Sequence, residues 1–189
     1  MVPDPEEKKL LSLSDSELMA LVRKGSRSAF ARILKRYERR ILNFFRHLGV
    51  VNDVEDLAQE TFLRLYKYRK RYREKAPFGT FLFRLASQVH LDYLRKKKRS
   101  VAAVQLSEDS GFNSSVELEA EEEVEKALRR LSEPLRSVVV LRVFQNFSYE
   151  EVAEILSIPV GTAKSRMFHA LRVLREYFES RELKDSKPR

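Results

Sequence analysis

Apolar residues recur three and four positions apart along most of this chain, the spacing that lines them up on one face of an α-helix. Leu18, Leu21 and Val22 form one stripe, and Phe30, Ile33, Leu34, Tyr37, Ile41, Leu42, Phe45 and Leu48 form a longer one. Asp15 and Ser16 suit the N-cap of the first helix, while Gly25 and Gly49 suit stops. Asn52 or Asp53 opens a helix through Val54, Leu57, Ala58, Phe62 and Leu65, and Pro77 opens another through Phe81, Leu85, Val89 and Leu94. Four helices are predicted here.

A second set begins near Glu119, with Val124, Leu128 and Leu131 on one face, and Pro134 starts a helix through Val138, Leu141 and Val143. Ser148-Tyr-Glu-Glu151 has the pattern of a capping box, in which hydroxyl and carboxylate satisfy each other's orphan backbone amides. Its helix carries Val152, Ile155 and Leu156. Beyond Gly161, Thr162 can cap a last helix with Ala163, Met167, Ala170 and Leu174 facing inward. This block is again four helices, and neither an internal repeat nor a heptad array is evident.

Composition narrows the class. The chain has 189 residues and is 43% apolar, enough to bury a core in one domain or two small ones. Five glycines leave little turn chemistry for a β-sandwich or a doubly wound α/β fold, and zero cysteines exclude disulfides and cysteine-ligated metals. The expected fold is all-α. The N-terminal Met1-Val-Pro-Asp-Pro-Glu-Glu-Lys-Lys9 lacks an apolar signal core, and no run approaches about 18 apolar residues, so a cytoplasmic protein without a membrane span is expected.

Charge divides the chain further. The net +9 splits into +13 over residues 14–100, −8 over 101–125 and +5 over 126–189, with −1 ahead of them. The acidic stretch holds Ser107, Ser110, Gly111, Asn113, Ser114 and Ser115 without helical periodicity, the composition of a linker. The predicted organisation is an N-terminal extension (1–13), a first helical domain (14–100), a flexible acidic linker (101–120), a second helical domain (121–180) and a tail (181–189).

Three constellations could carry function. Residues 148–175 have the layout of a helix-turn-helix, whose second helix enters the major groove of DNA. Opposite its apolar arc lie Lys164, Ser165, Phe168, His169 and Arg172, flanked by Arg166 and Arg175, residue types that read bases and phosphates. An ordinary helical hairpin with a solvated basic face has the same pattern. Residues 64–75 place seven Lys or Arg among Tyr66, Tyr68 and Tyr72, followed by Phe78, Phe81, Phe83, Tyr93 and the run Arg95-Lys-Lys-Lys-Arg99. Cations beside aromatic platforms suit single-stranded nucleic acid, although some of these rings belong in a core and charge runs are usually solvated. Asp53, Glu55, Asp56 and Glu60, with Gln59, make an acidic island in this basic domain. A basic protein partner would account for it; so would favourable pairing with the helix dipole.

Catalytic patterns are missing. His47, His90 and His169 are widely separated, the isolated glycines form neither a Walker loop nor a dinucleotide fingerprint, and the paired carboxylates lie on an exposed helix where pKa tuning is unfavourable. The expectation is no enzyme, no cofactor and no metal.

The residues also resemble a known family. Asp53-Val-Glu-Asp-Leu-Ala-Gln-Glu-Thr-Phe62, with Phe78-Gly-Thr-Phe-Leu-Phe-Arg-Leu-Ala86 and Leu91-Asp-Tyr-Leu-Arg95, resembles the second conserved region of bacterial sigma factors. Leu131 to Leu174, centred on Ser148-Tyr-Glu-Glu-Val-Ala-Glu-Ile-Leu156 and Ile158-Pro-Val-Gly-Thr-Ala-Lys-Ser-Arg166, is similar to their fourth region. Both occur in order, with no room for a third domain between them, which is the layout of the extracytoplasmic-function (ECF) group.

That resemblance implies roles. Asp53, Asp56, Gln59, Glu60 and Leu63 would dock on the clamp coiled coil of the β′ subunit of core RNA polymerase, with a further contact at the β flap. Arg69, Arg71, Tyr72, Phe81, Arg84, Gln88, Tyr93 and Arg95 would hold the melted minus-10 strand. Thr162, Lys164, Ser165, Arg166, Phe168, His169 and Arg172 would contact the minus-35 duplex. Gln88 stands where relatives commonly have Asn, Phe81 where many have Trp, and His169 where Arg is frequent. The acidic linker would thread the RNA exit path, and an anti-sigma factor would cover the polymerase-binding surfaces. The alternatives are a helix-turn-helix regulator acting without core polymerase and a single-strand or RNA-binding protein using the Arg64 to Arg99 face.

Overall fold

Serine caps and glycine stops set the first helices. The computed structural model describes residues 10–73, 76–103 and 117–185, and no strand occurs among them. α1 (Asp15–Arg23) is capped by Ser14, not by Asp15 or Ser16 as the sequence predicts. The Ser14 hydroxyl accepts from the Glu17 amide, and the Glu17 carboxylate accepts from the Ser14 amide at 2.7 Å, so the reciprocal box begins one residue earlier. Asp15 is drawn elsewhere: its carboxylate accepts from the Tyr37 hydroxyl at 2.5 Å and pairs with Arg36, pinning α1 to the next helix.

α2 (Arg27–His47) starts at Ser26 and buries Ala29, Ile33, Tyr37, Ile41, Phe44 and Phe45. It ends where Gly49 adopts a φ of +86°, a left-handed conformation that costs glycine little. α3 (Val54–Tyr68) follows Asp53, whose side chain does not cap it but accepts from the Tyr93 hydroxyl at 3.0 Å. α4 (Phe78–Ala103) begins after Pro77 and packs against α3. Phe44, Phe45 and Phe83 are the largest fully enclosed side chains among the described residues.

The linker expected between the two basic blocks falls largely on residues 104–116, outside the described residues. α5 (Glu117–Arg129) leads to α6 (Glu133–Val139), which has a proline in its first turn. A π-helical turn, Val140–Phe144, extends α6. The extra residue it inserts rotates the following side chains by about 100°, and Val143, predicted to face inward, is 55% exposed. Asn146, at a φ of +59°, then turns the chain back so that Phe147 points inward. α7 (Tyr149–Leu156) carries the predicted capping box, Ser148 N to Glu151 at 2.9 Å and Glu151 N to Ser148 Oγ at 3.2 Å. α8 (Val160–Asp185) begins two residues before the expected cap at Thr162, because the Ala163 amide donates to the carbonyl of Pro159 and leaves Thr162 within the first turn.

The two helical groups meet. α7 lies on α4, the π-helical turn lies on α2, and buried residues of both groups form one continuous cluster. His90 on α4 is enclosed there, its Nδ1 4.0 Å from the Glu133 carboxylate on α6. Burial pushes its pKa down from 6.5 to about 4, against the pull of Glu133 and with a smaller push from Arg136. Between those two values the unfolded chain binds a proton that the folded chain refuses. Stability is therefore expected to fall as pH drops from 6.5 toward 4, by up to about 3 kcal/mol from this group. Denaturant midpoints measured across that window should move less in His90→Gln than in the wild type.

Candidate nucleic-acid and polymerase interfaces

On α8 the apolar arc closes against α7. Ala163, Met167 and Ala170 are buried, which turns Lys164, Ser165, Phe168, His169 and Arg172 to the outside while Thr162 and Arg166 are half-buried. Phe168 is 67% exposed, with its ring edge-on to His169 at 5.7 Å. An apolar ring this open, between cations, is a surface in want of a flat or methyl-bearing ligand. Ser165 donates its hydroxyl proton to the Thr162 carbonyl at 3.1 Å, and Arg172 lies 4.0 Å from Glu176. Sequence reasoning passed over Tyr149, whose ring lies 5.3 Å from the Arg142 guanidinium and 5.8 Å from the Lys164 ammonium. It gathers two cations at the entry of the helix pair.

The residues expected at the minus-10 strand divide into groups. Phe81, Arg84, Gln88 and Arg95 share one outward stripe of α4 at helical spacing. The Arg84 guanidinium sits 5.8 Å over Phe81, and Arg95 pairs with Asp92 at 3.2 Å. Arg69 and Arg71 lie just past the end of α3, with Arg69 stacked 3.8 Å over the Tyr66 ring and bonded to the Tyr66 carbonyl at 2.7 Å. Tyr72 is only 5% exposed, its ring packed on Phe78 and Phe81, so it offers little free face. Tyr93 turns toward α3, and burial, helped by its bond to Asp53, pushes its pKa up to about 12.

The acidic island maps onto α3. Asp56 and Gln59 are exposed, and Leu63 is 54% exposed one turn beyond Gln59. Glu60 pairs with Arg64 at 2.8 Å, and Arg64 reaches Asp92 at 2.9 Å, which ties α3 to α4. Between α2 and α3 runs an apolar groove of about 480 Å³, lined by Phe30, Leu34, Leu42, Phe62, Leu63 and Tyr66 with Glu55 and Gln59 at its rim. Phe30, Leu34 and Leu42 read as core in the sequence; the groove exists because Ile33, Tyr37 and Ile41, one residue round the helix, take the deeper places. Among the described residues no group of His, Asp and Glu side chains is arranged to hold a metal, and no helix is long and apolar enough to cross a membrane.

A helix-turn-helix with an exposed basic face, beside a helical module that combines a cationic aromatic surface with an acidic-faced helix, has the layout of a DNA-binding adaptor. Residues 33–100 match the family described as Sigma-70 region 2, and residues 121–174 match Sigma-70, region 4. The chain is 33% identical over 175 residues to the ECF RNA polymerase sigma factor SigW of Bacillus subtilis, covering 82% of this chain and 91% of that one. It is 29% identical over 177 residues to the ECF RNA polymerase sigma-E factor of Haemophilus influenzae, covering 86% and 94%. Among solved structures it resembles CnrH in complex with the cytosolic domain of CnrY, with a TM-score of 0.71, 24% identity and coverage of 88% and 97%. It also resembles the sigma factor RpoE in complex with the anti-sigma factor NepR from Bartonella quintana, with a TM-score of 0.67, 25% identity and coverage of 79% and 96%. The chain belongs to the ECF sigma factors, which are transcription initiation factors and not enzymes.

Lys164→Ala is expected to weaken holoenzyme binding to promoter duplex and, if Lys164 meets a phosphate, to reduce the salt slope by about one. A salt series of fluorescence anisotropy titrations measures it, and an unchanged affinity and slope would remove Lys164 from the interface.

Proposed function

We propose that this ECF sigma factor divides its work among the three surfaces described above. The acidic face of α3, with Asp53, Asp56, Gln59, Glu60 and Leu63, docks on the β′ clamp coiled coil of core RNA polymerase, and the second module makes a further contact at the β flap. Arg69, Arg71, Phe81, Arg84, Gln88 and Arg95, with Tyr72 and Tyr93 behind them, hold the melted minus-10 strand. Thr162, Lys164, Ser165, Arg166, Phe168, His169 and Arg172 read the minus-35 duplex. The observation that carries the docking assignment is Leu63, an exposed leucine beside an apolar groove on a helix that bears Glu55, Asp56 and Glu60 in a basic module.

The same groove suits an amphipathic helix of an anti-sigma factor, and the complex of RpoE with NepR supports that kind of control. The working location would be the cytoplasm, where polymerase and promoter are. Residues 14–100 and 121–180 are proposed as the functional modules, with 101–120 as their linker. A regulator acting without core polymerase has no use for the acidic face.

Reversing the charge of exposed Asp56 tests the docking. Asp56→Lys is expected to weaken core polymerase binding about tenfold or more through like-charge juxtaposition, with an unchanged melting temperature. Lys164→Ala should leave core affinity as it is. Core binding within twofold of wild type for Asp56→Lys would sink the assignment.

A further inference from the structure

Two surfaces of the molecule hold apolar side chains in the open. One is the groove between α2 and α3, where Leu34, Glu38 and Leu42 follow one another a helical turn apart along α2 and Leu63 faces them from α3. The other is α8 past its base-reading residues, where Leu171 is 51% and Phe178 41% exposed, with the open side chain of Arg175 between them. Phe168 extends the same stripe a turn earlier. Single exposed apolar residues are ordinary, but three in line on one helix make a patch, and Leu171 and Phe178 stand outside the set that reads the minus-35 duplex.

The two surfaces match in length, order and sign. Phe30 to Leu42 extends about 18 Å along α2, and Phe168 to Phe178 about 15 Å along α8, at about 1.5 Å of rise per residue. Each has a charge between two apolar neighbours, Glu38 between Leu34 and Leu42, Arg175 between Leu171 and Phe178. The charges are opposite, and among the described residues neither has an ion-pair partner in its own fold. Nearby charges are already engaged: Glu55 lies 3.5 Å from Arg46, and Arg172 lies 4.0 Å from Glu176. The direction of seating is set as well. Arg27, at one end of the groove, precedes Glu38 by the same eleven residues by which Lys164 precedes Arg175. A parallel seating would set those two cations against each other, whereas an antiparallel one carries Lys164 toward Glu55. Within one molecule the surfaces stay apart, because α8 packs on α5, α6 and α7 while the groove lies between α2 and α3.

We propose that a second copy of this chain seats its α8 in the groove, antiparallel to α2, with Arg175 on Glu38, Leu171 on Leu42 and Phe178 on Leu34. Given reciprocally, two such contacts close into a two-fold pair. A helix in a shallow groove is a small interface, so the pair forms in the micromolar range and dissociates readily. Pairing covers Leu63 and Phe168 together, which holds the protein out of use until it separates. That consequence rests on the polymerase and promoter roles given under the proposed function; the pairing itself does not.

Sedimentation equilibrium of the full chain across the micromolar range should show a mass that rises with concentration above that of one chain. Arg175→Glu and Glu38→Arg, both at exposed positions, should each weaken self-association about tenfold or more at an unchanged melting temperature. Mixing the two variants should restore it, since a mixed pair has one contact with its charges exchanged and the other as in the wild type. Neither residue acting alone in its own fold would give that rescue. A chain that stays monomeric throughout, variants that associate like wild type, or a mixture that does not recover would overturn the pairing and leave the groove to polymerase or an anti-sigma helix. Asp56→Lys, outside both surfaces, should pair like wild type, so loss of polymerase docking and loss of pairing are read separately. By mass photometry core polymerase should take up one chain and not a pair. Uptake of a pair would overturn the masked state, and uptake of no chain would instead count against the docking role.

Discussion

Arg40 holds three rings and a backbone turn in register. Its guanidinium lies 5.1 Å from Phe83, 5.5 Å from Tyr37 and 5.8 Å from Phe147, and it takes up the Gln145 carbonyl that the end of the π-helical turn presents. A cation stacked among rings and bonded to a carbonyl keeps its hydrogen bonds while partly buried, which an alkyl ammonium would do less well. Around it α2 and α4 close one core, and through it the helix-turn-helix is fixed to that core. Two modules of this size each bury modest apolar surface, so sharing Phe83 and Phe147 adds enclosure that neither has alone.

Much of this was legible in the chain, for physical reasons that differ by element. Helix existence followed from apolar spacing, and Gly25 and Gly49 marked stops because both adopt a positive φ. The Ser148 box and the outward face of α8 came through because capping and amphipathicity are local. What escaped was decided at a distance. Asp15 is a good cap in isolation, but Tyr37 and Arg36 compete for its carboxylate, and Ser14 takes the cap. The π-helical turn obeys no local pattern, so Val143 was placed a register step too early. Tyr72 has the composition of a base-stacking platform and the position of a core residue. Neither the apolar groove nor the bond from Arg40 to the Gln145 carbonyl could be read from one helix, because each needs two elements.

Charge takes on a clearer meaning in three dimensions. Of the +13 of the first basic block, +6 belongs to residues 14–52 and +7 to residues 53–100, whose cations gather at the end of α3 and along α4, while Asp56 and Gln59 stand on the outward face of α3. Asp92 marks the boundary: it pairs with Arg64 on the acidic side and with Arg95 on the side of the basic run. A basic surface therefore abuts an acidic one, and each carries an exposed leucine, Leu91 on α4 and Leu63 on α3. That is the arrangement an adaptor needs when it must hold DNA and a large basic protein element at once without confusing the two. The side chains on these surfaces are suited to binding and separating strands, and the chemistry of RNA synthesis belongs to the polymerase.

The central claim is that this chain confers promoter choice on a polymerase that lacks it. The direct measurement is run-off transcription by purified core RNA polymerase on a library of upstream sequences, with and without the protein, followed by sequencing of the transcript starts. Initiation from a discrete subset of templates sharing two spaced elements, appearing only when the protein is added, is the predicted result. Equal initiation with and without the protein, or none from any template while core binding is intact, would contradict it.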